Sequence, residues 1–135
     1  MRYKLWIGGD WKETGDTHIV TSPFSGNTVA LCEQAGETEI EEAIQFAESA
    51  FPKFKKVSRY TRSVLLNRIA EGIEKRRDEF VLAIVQEAGK PIALAETEVS
   101  RAITCFRIAS EESKRYAGDI IPLDGDVNGR NFDSA

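Results

Sequence analysis

The 135-residue sequence contains little histidine and cysteine, the residues from which many metal-binding and nucleophilic sites are built. Cys32 and Cys105 are its two cysteines, they show no CxxC spacing, and His18 is its one histidine. These residues exclude a zinc site, which needs several such ligands at close spacing. No apolar run approaches the roughly 18 residues of a membrane-spanning helix, and the N-terminus has no signal-peptide pattern. We therefore expect a cytoplasmic, reduced protein with no membrane contact.

Glycine-rich phosphate loops and paired acidic residues are also missing. Gly8 and Gly9 stand in a hairpin pattern rather than between a strand and a helix, so no dinucleotide-binding site can be placed. Glu96 and Glu98 are two residues apart on a predicted helix and point to different faces, which argues against a general acid-base pair. The formal net charge is −4 and basic residues alternate with acidic ones, so nucleic acid is not an expected partner.

Apolar residues are frequent enough for one folded domain, since 41% of the chain is hydrophobic and 30% is charged. Alternating apolar residues, β-branched residues and turn residues predict an antiparallel β-meander with strands at about 3–11, 17–22 and 28–33. The remainder shows helical periodicity. The predicted fold is therefore a mainly α-helical segment that follows an N-terminal antiparallel meander.

Helical periodicity predicts four helices, at about 39–51, 58–75, 78–88 and 91–117. Thr38 and Glu41 form a capping-box pattern, and Pro52 is expected to end the first helix. Ser58 can cap the second helix. The apolar stripe loses its phase near residues 75–78, which predicts a kink or a break between the second and third helices.

Gly89, Lys90 and Pro91 predict a corner between two helices. Glycine suits the left-handed position after a helix, and proline suits the first turn of the next helix because its missing N–H costs nothing there. Lys90 could bind a phosphate, but an interaction with the exposed helix carbonyls is the favoured interpretation. Trp6 and Trp11 could stack on a ligand, but covering the thin hairpin is favoured.

The remaining candidate side chains are interpreted as structural. His18 is expected on a half-exposed strand face, and Cys32 at the end of a strand. Cys105 stands among apolar helix residues, where a small apolar residue would serve equally well.

Six short motifs follow one another along the chain. They are Trp6–Trp11, Ser22–Gly26, Ala50–Phe51, Arg62 with Leu65 and Leu66, Ala88–Pro91 with Glu96 and Glu98, and Gly118–Pro122. In order and spacing, this set resembles the N-terminal segment of the NAD(P)-dependent aldehyde dehydrogenase family, over about residues 5–124. The departures are Ser22 where the family often has asparagine, and Glu87–Ala88 where it often has Asp-Thr.

The resemblance implies an α/β parent enzyme. Residues 1–124 would form the N-terminal part of its cofactor-binding domain, and residues 125–135 a polar linker truncated before the rest of the enzyme. In that family a cysteine thiolate attacks the aldehyde, hydride passes to NAD or NADP, and a glutamate-activated water hydrolyses the thioester to the carboxylic acid.

The family's catalytic and cofactor-contacting residues all match positions beyond residue 135, and neither Cys32 nor Cys105 fits the motif of the catalytic cysteine. The resemblance therefore implies that this chain is inactive and binds no cofactor by itself. The parent would be a homodimer or homotetramer acting on a small-molecule aldehyde.

One family feature falls inside the segment. Some members hold a structural sodium or potassium ion with backbone carbonyls and an acid, and the matching positions are Val20, Thr21 and Glu87. Oxygen ligands of this kind suit a hard cation. The alternative is that Glu87 is simply an acid near a helix end.

A second hypothesis treats the chain as a stand-alone helical protein-interaction module derived from a dehydrogenase front end. The two hypotheses differ in surface character. Part of a larger enzyme should expose a large apolar surface where the rest of the protein packs, whereas a small module should not.

Overall fold

Strand pairing organises the N-terminal residues, and helix packing organises the remainder. The computed structural model describes residues 1–115 and Gly118. The described elements, in chain order, are β1 (Arg2–Tyr3), β2 (Leu5–Ile7), β3 (Asp10–Lys12), β4 (Thr17–Thr21), β5 (Thr28–Glu33), α1 (Glu37–Phe54), α2 (Arg59–Lys75), α3 (Arg77–Ala88) and α4 (Ile92–Arg115). The predicted combination of N-terminal strands and a helical majority is confirmed. No helix within residues 1–115 has the length and apolar composition needed to cross a membrane.

The strands form two sheets. β5 lies between β1, which runs parallel to it, and β4, which runs antiparallel to it. β2 and β3 form a separate antiparallel hairpin. This arrangement corrects the expectation of one antiparallel meander, because the predicted first strand divides into β1 and the hairpin. β1 instead takes the edge of β5 that β4 leaves free, where unpaired backbone groups are available.

The hairpin turn is tight and rests on α1. Gly8 and Gly9 adopt φ angles of 63° and 100°, which glycine tolerates better than any other residue. A Cβ atom on Gly8 would lie 2.6 Å from ring atoms of Phe46. Lys12 of β3 also forms an ion pair with Glu42 of α1. The hairpin is therefore held against one face of α1.

α1 begins and ends differently from the prediction. Its N-cap is Gly36, whose backbone N–H donates to the Glu39 side chain at 2.9 Å, so the capping interaction does not involve Thr38 and Glu41. The helix also continues through Pro52 to Phe54. Pro52 removes only its own N–H from the helical ladder, and a loss of one bond in the last turn is tolerated.

The boundaries of the other helices agree with the sequence. Ser58 caps α2 by accepting a hydrogen bond from the Thr61 backbone N–H at 3.1 Å. The predicted break falls between Lys75 and Arg77, where α2 ends and α3 begins. Gly89 ends α3 in the left-handed conformation, with φ 64°. The predicted corner is therefore confirmed.

The apolar core lies between α2, α3 and α4. Its buried members are Ala70, Val81, Ala95, Val99 and Ile103, with Ile73, Ile84, Val85 and Phe106 packed around them. At one end of the α2–α4 contact the hydroxyls of Ser63 and Ser110 are 2.9 Å apart, and Ser110 also donates to the Ser63 carbonyl at 2.8 Å. Arg107 of α4 pairs with Glu74 of α2 at 2.7 Å.

Several expectations concern residues beyond this description. The predicted last residues of α4 (116–117), the end of the last motif (119–122) and the linker at 125–135 lie outside the described residues.

Candidate functional site

Two motifs that are far apart in the sequence touch in the fold. A Cβ atom on Gly89 would lie 2.8 Å from Cγ of Pro23, so the turn after β4 packs directly on the corner between α3 and α4. Any side chain at Gly89 would collide with this turn, and its φ of 64° is already unfavourable for other residues. Gly89 is therefore required both for the turn of the chain and for the contact.

The three residues matched to the family's cation site flank this contact. Val20 and Thr21 lie at the end of β4, where a register shift interrupts the regular pairing with β5. Glu87 is exposed in the last turn of α3. Thr21 precedes Pro23 by two residues and Glu87 precedes Gly89 by two, so the contact joins the two chain segments that carry the set. Among the described residues, no three His, Cys, Asp or Glu side chains form a metal-binding cluster, and this set would depend on two backbone carbonyls.

Two basic side chains contact α4, Lys90 from the corner and Arg77 from the start of α3. Lys90 forms an ion pair with Glu98 of α4. The sequence had suggested an interaction with the exposed carbonyls of α3 instead. Arg77 donates to the Glu96 carbonyl at 3.2 Å and to the Ser100 hydroxyl at 2.5 Å. The two glutamates of the motif set therefore mark the points where α4 is tied to the residues around the break and the corner.

Arg62 has a clear structural role that the sequence did not reveal. Its guanidinium donates to the backbone carbonyls of Phe54, Lys55 and Val57 at 3.0 to 3.1 Å and lies 5.2 Å from the centre of the Phe54 ring. These carbonyls belong to the end of α1 and the connection to α2, where helical partners are missing. Arg62 therefore fixes the direction in which the chain leaves α1.

Glu33 is a second structural residue that sequence reasoning missed. Its carboxylate is buried and accepts hydrogen bonds from the Arg2 guanidinium at 2.6 and 2.8 Å and from the backbone N–H groups of Thr14 and Gly15 at 2.8 and 3.0 Å. The Arg2 hydrogen bond, followed by those from the backbone, lowers the pKa of Glu33 from 4.5 to about 2. The sequence signal that could have identified Glu33 is its position at the end of an apolar strand. An acidic side chain that is buried there requires a partner.

The tryptophan pair lies on the outer face of the hairpin. Trp6 and Trp11 are directly opposite each other across β2 and β3, with ring centroids 4.7 Å apart and planes tilted by 57°. Both rings are exposed. They therefore contact each other, as the hairpin-covering interpretation requires, while the opposite face of the hairpin meets α1.

The cysteines and the histidine are not brought together into a catalytic arrangement. Cys32 is partly buried in β5, and His18 is exposed opposite it on β4. Cys105 is exposed on α4 and is not part of the buried core cluster. It lines a shallow depression together with Arg101 of α4 and Lys90 of the preceding corner.

Comparison with known proteins accounts for the ordered motifs. The model of the aldehyde dehydrogenase family matches residues 11–132. Malonate-semialdehyde dehydrogenase 2 of Shouchella clausii is 32% identical over 131 residues, covering 92% of this chain and 27% of the relative. Glutarate-semialdehyde dehydrogenase of Pseudomonas putida is 32% identical over 124 residues, covering 90% of this chain and 26% of the relative.

The fold matches solved structures to a similar extent. A 1-pyrroline-5-carboxylate dehydrogenase from Thermus with bound NAD superimposes with a TM-score of 0.86 at 30% identity, over 92% of this chain and 25% of that structure. Lactaldehyde dehydrogenase from Escherichia coli gives 0.84 at 29% identity, over 89% of this chain and 26% of that structure. The chain therefore belongs to the aldehyde dehydrogenase family. It spans about a quarter of the length of the relatives that it matches.

Proposed function

We propose that this chain supplies the N-terminal part of the cofactor-binding domain of an enzyme that oxidises an aldehyde to a carboxylic acid with NAD or NADP. The observation that carries the proposal is the family match across residues 11–132. The two relatives from Shouchella clausii and Pseudomonas putida are semialdehyde dehydrogenases, and each is about four times as long as the matched segment.

By itself the 135-residue chain is inactive under this proposal. The reaction needs a thiolate that attacks the carbonyl and a base that activates water for hydrolysis of the thioester. Cys32 is partly buried in a sheet, and Cys105 lies on an outer helix face. Among the described residues neither thiol lies beside both a base and a cofactor pocket, which supports assigning both steps to other parts of the parent enzyme.

The surface of the helices supports a part of a larger protein over a stand-alone module. Large apolar side chains are exposed on every helix, among them Ile44 and Phe51 on α1, Ile69 on α2, Leu82 on α3 and Ile108 on α4. An ordinary monomer rarely exposes extensive apolar surface of this kind. The interaction-module alternative would require a binding partner for several of these faces at once.

A sodium or potassium site at Val20, Thr21 and Glu87 is part of the proposal. The packing of Pro23 on Gly89 supports it, because this contact joins the end of β4 to the end of α3. Potassium should raise the melting temperature relative to the same concentration of choline, and Glu87→Gln should abolish the difference. A potassium effect that survives in the variant would remove Glu87 from the site.

The parent enzyme is proposed to act in the cytoplasm as a homodimer or homotetramer. Its oligomer contacts would use elements other than the helices described here, as the family resemblance implies. The aldehyde and the choice between NAD and NADP depend on residues elsewhere in the parent.

The function is tested with two proteins. The 135-residue chain is titrated with NAD and NADP by calorimetry and assayed for NAD(P)H production with a panel of semialdehydes. A chimera carries residues 1–124 in place of the matching segment of the Pseudomonas putida glutarate-semialdehyde dehydrogenase.

We expect no binding and no turnover for the 135-residue chain, and dehydrogenase activity for the chimera. Tight NAD binding by the chain alone, or a folded chimera that binds no cofactor, would contradict the proposal.

A further inference from the structure

α1 presents an apolar row, the α1 face, that the described part of the chain leaves uncovered. Ile40, Ile44 and Phe51 form this row and are 54%, 55% and 62% exposed, and α1 has no buried residue. Intervals of four and seven residues place them on one side of the helix, because successive residues turn by about 100°. A partner that covers the row would therefore meet one continuous apolar strip.

Other parts of α1 hold the helix to the molecule. Phe46 packs on the turn between β2 and β3, and Glu42 forms an ion pair with β3. At the end of α1, Arg62 of α2 donates to the carbonyls of Phe54 and Lys55. α1 is thus fixed at its side and at its end, and the α1 face is presented in a defined position.

The interior polar groups are satisfied within the chain. Among the described residues, every buried side-chain nitrogen or oxygen atom has a hydrogen-bond partner. The buried polar residues Glu33, Ser63 and Ser110 all bond to other residues of this chain. Helices α2, α3 and α4 also enclose a core of their own. A partner of this segment therefore has to supply apolar contacts and does not have to complete an internal hydrogen-bond network.

The length of the relatives indicates the kind of partner. The family match covers residues 11–132, and the chain spans about a quarter of the two semialdehyde dehydrogenases. In the proposed parent the segment is N-terminal, so one peptide bond joins it to the remainder of the enzyme. Every other connection between the two parts is a contact between surfaces, and such contacts do not require a continuous chain.

We propose that the 135-residue chain binds non-covalently, one to one, to an aldehyde dehydrogenase polypeptide that lacks the matching N-terminal segment, and restores its activity. The α1 face lies in the interface. This inference rests on the proposed function and adds that the peptide bond between the two parts is dispensable. The folded core of the chain supplies a preformed surface, which lowers the ordering cost of association. Without the covalent link the effective concentration falls, so activity depends on the concentration of the chain.

The test uses Pseudomonas putida glutarate-semialdehyde dehydrogenase without the segment that matches residues 1–124. This truncated enzyme carries an affinity tag and is produced in the same cells as the 135-residue chain. We expect the two to co-purify one to one, and NAD(P)H production from glutarate semialdehyde to rise to saturation as more chain is added. The covalent chimera is the reference. Added chain should not activate it, because its binding surface is already filled.

A matched pair of variants tests the α1 face. Ile44→Glu should raise the chain concentration for half-maximal activity by about tenfold or more, because it places a charge in an apolar interface. Gln45→Glu adds the same charge to the next residue, on a side of α1 turned by about 100°. It should change that concentration by less than about twofold. Circular dichroism verifies that both variants retain their helices.

Three results would overturn the proposal while the chimera is folded and active. The first is the absence of both co-purification and restored activity, which would show that the peptide bond is required. The second is restoration that Ile44→Glu leaves unchanged, which would remove the α1 face from the interface. The third is self-association of the chain that prevents activation, which would assign the face to a second copy. An inactive chimera would instead contradict the proposed function, and this inference with it.

Discussion

α1 and α4 are both regular amphipathic helices, yet only α4 is packed into a core. α4 buries Ala95, Val99, Ile103 and Ser110, whereas α1 buries none of its residues. The difference lies in the neighbours and not in the regularity of the apolar pattern. Among the described residues, α4 lies against α2 and α3, while α1 meets the hairpin through Phe46 and Glu42 and is contacted near its end by Arg62 of α2. A helical pattern thus identifies which face is apolar, but not what covers it.

The largest expected effect comes from a matched pair of isoleucine truncations, one on α4 and one on α1. Ile103→Ala should lower the free energy of unfolding by about 2–5 kcal/mol, because it leaves a cavity between the packed helices. Ile44→Ala on α1 should change it by less than about 0.5 kcal/mol, since this side chain is already exposed. Urea unfolding measures both. Equal losses would show that α1 has a covering partner within the chain.

A second pair of variants tests the corner that connects α3 and α4. Gly89→Ala should lower the free energy of unfolding by about 1–3 kcal/mol through its left-handed backbone, and its Cβ would also lie 2.8 Å from Pro23. Gly72→Ala, inside α2 and free of nearby atoms among the described residues, should raise it by about 0.5–1 kcal/mol. Thermal unfolding should therefore shift in opposite directions. A Gly89→Ala variant as stable as the wild type would contradict the close packing of Pro23 on Gly89.

The connection between α1 and α2 should show an intermediate effect. Arg62→Ala removes the hydrogen bonds to three backbone carbonyls and should cost about 1–2 kcal/mol, because those acceptors lose their partner. Arg59→Ala is the control, since Arg59 is exposed in the same helix turn. Chemical unfolding compares the two variants. Equal changes in the free energy of unfolding for the two variants would mean that water satisfies the three carbonyls as well as Arg62 does.

A pH-dependent effect concerns the N-terminal strands. The pKa of Glu33 is lowered to about 2 in the folded chain by its hydrogen bonds to Arg2 and the backbone, against 4.5 for an ordinary glutamate. Its contribution to stability is therefore complete above about pH 4.5 and is lost as the pH falls towards 2.

Urea unfolding between pH 2 and pH 6 detects this contribution. The difference in the free energy of unfolding between the wild type and Glu33→Gln should shrink as the pH falls from 6 to 2. Glu48→Gln, on the exposed surface of α1, is the control. A constant difference between the wild type and Glu33→Gln would show that the Glu33 charge is not responsible.

Local features of the chain were predicted well where a short stretch of sequence carries the cause. Gly89 and Ser58 ended and began helices as predicted, because their preferences act within a few residues. The prediction that Pro52 ends the first helix was wrong, because a missing N–H in the last helical turn costs too little to end the helix. The parallel pairing of β1 with β5 had no local signal, since it joins the two ends of the strand region.

The candidate cation set came from family resemblance and had no signal in composition or spacing. Its three positions, Val20, Thr21 and Glu87, flank a contact between Pro23 and Gly89 that no periodic pattern could reveal. Glu33 and Arg62 were missed for a related reason. Arg62 binds backbone carbonyls, and Glu33 binds two backbone N–H groups and the side chain of Arg2, 31 residues away. No local sequence pattern identifies such partners.

The amino-acid sequence by itself determined the four helices, the hairpin turn, the corner at Gly89 and membership of the aldehyde dehydrogenase family, because these depend on local propensity and on the order of short motifs. Only the tertiary structure decided that, among the described residues, α4 is packed into a core and α1 is not, that β1 pairs in parallel, and that Glu33 is held by Arg2. Those outcomes depend on which surfaces meet, and contact between distant segments is determined by the packing of the whole chain.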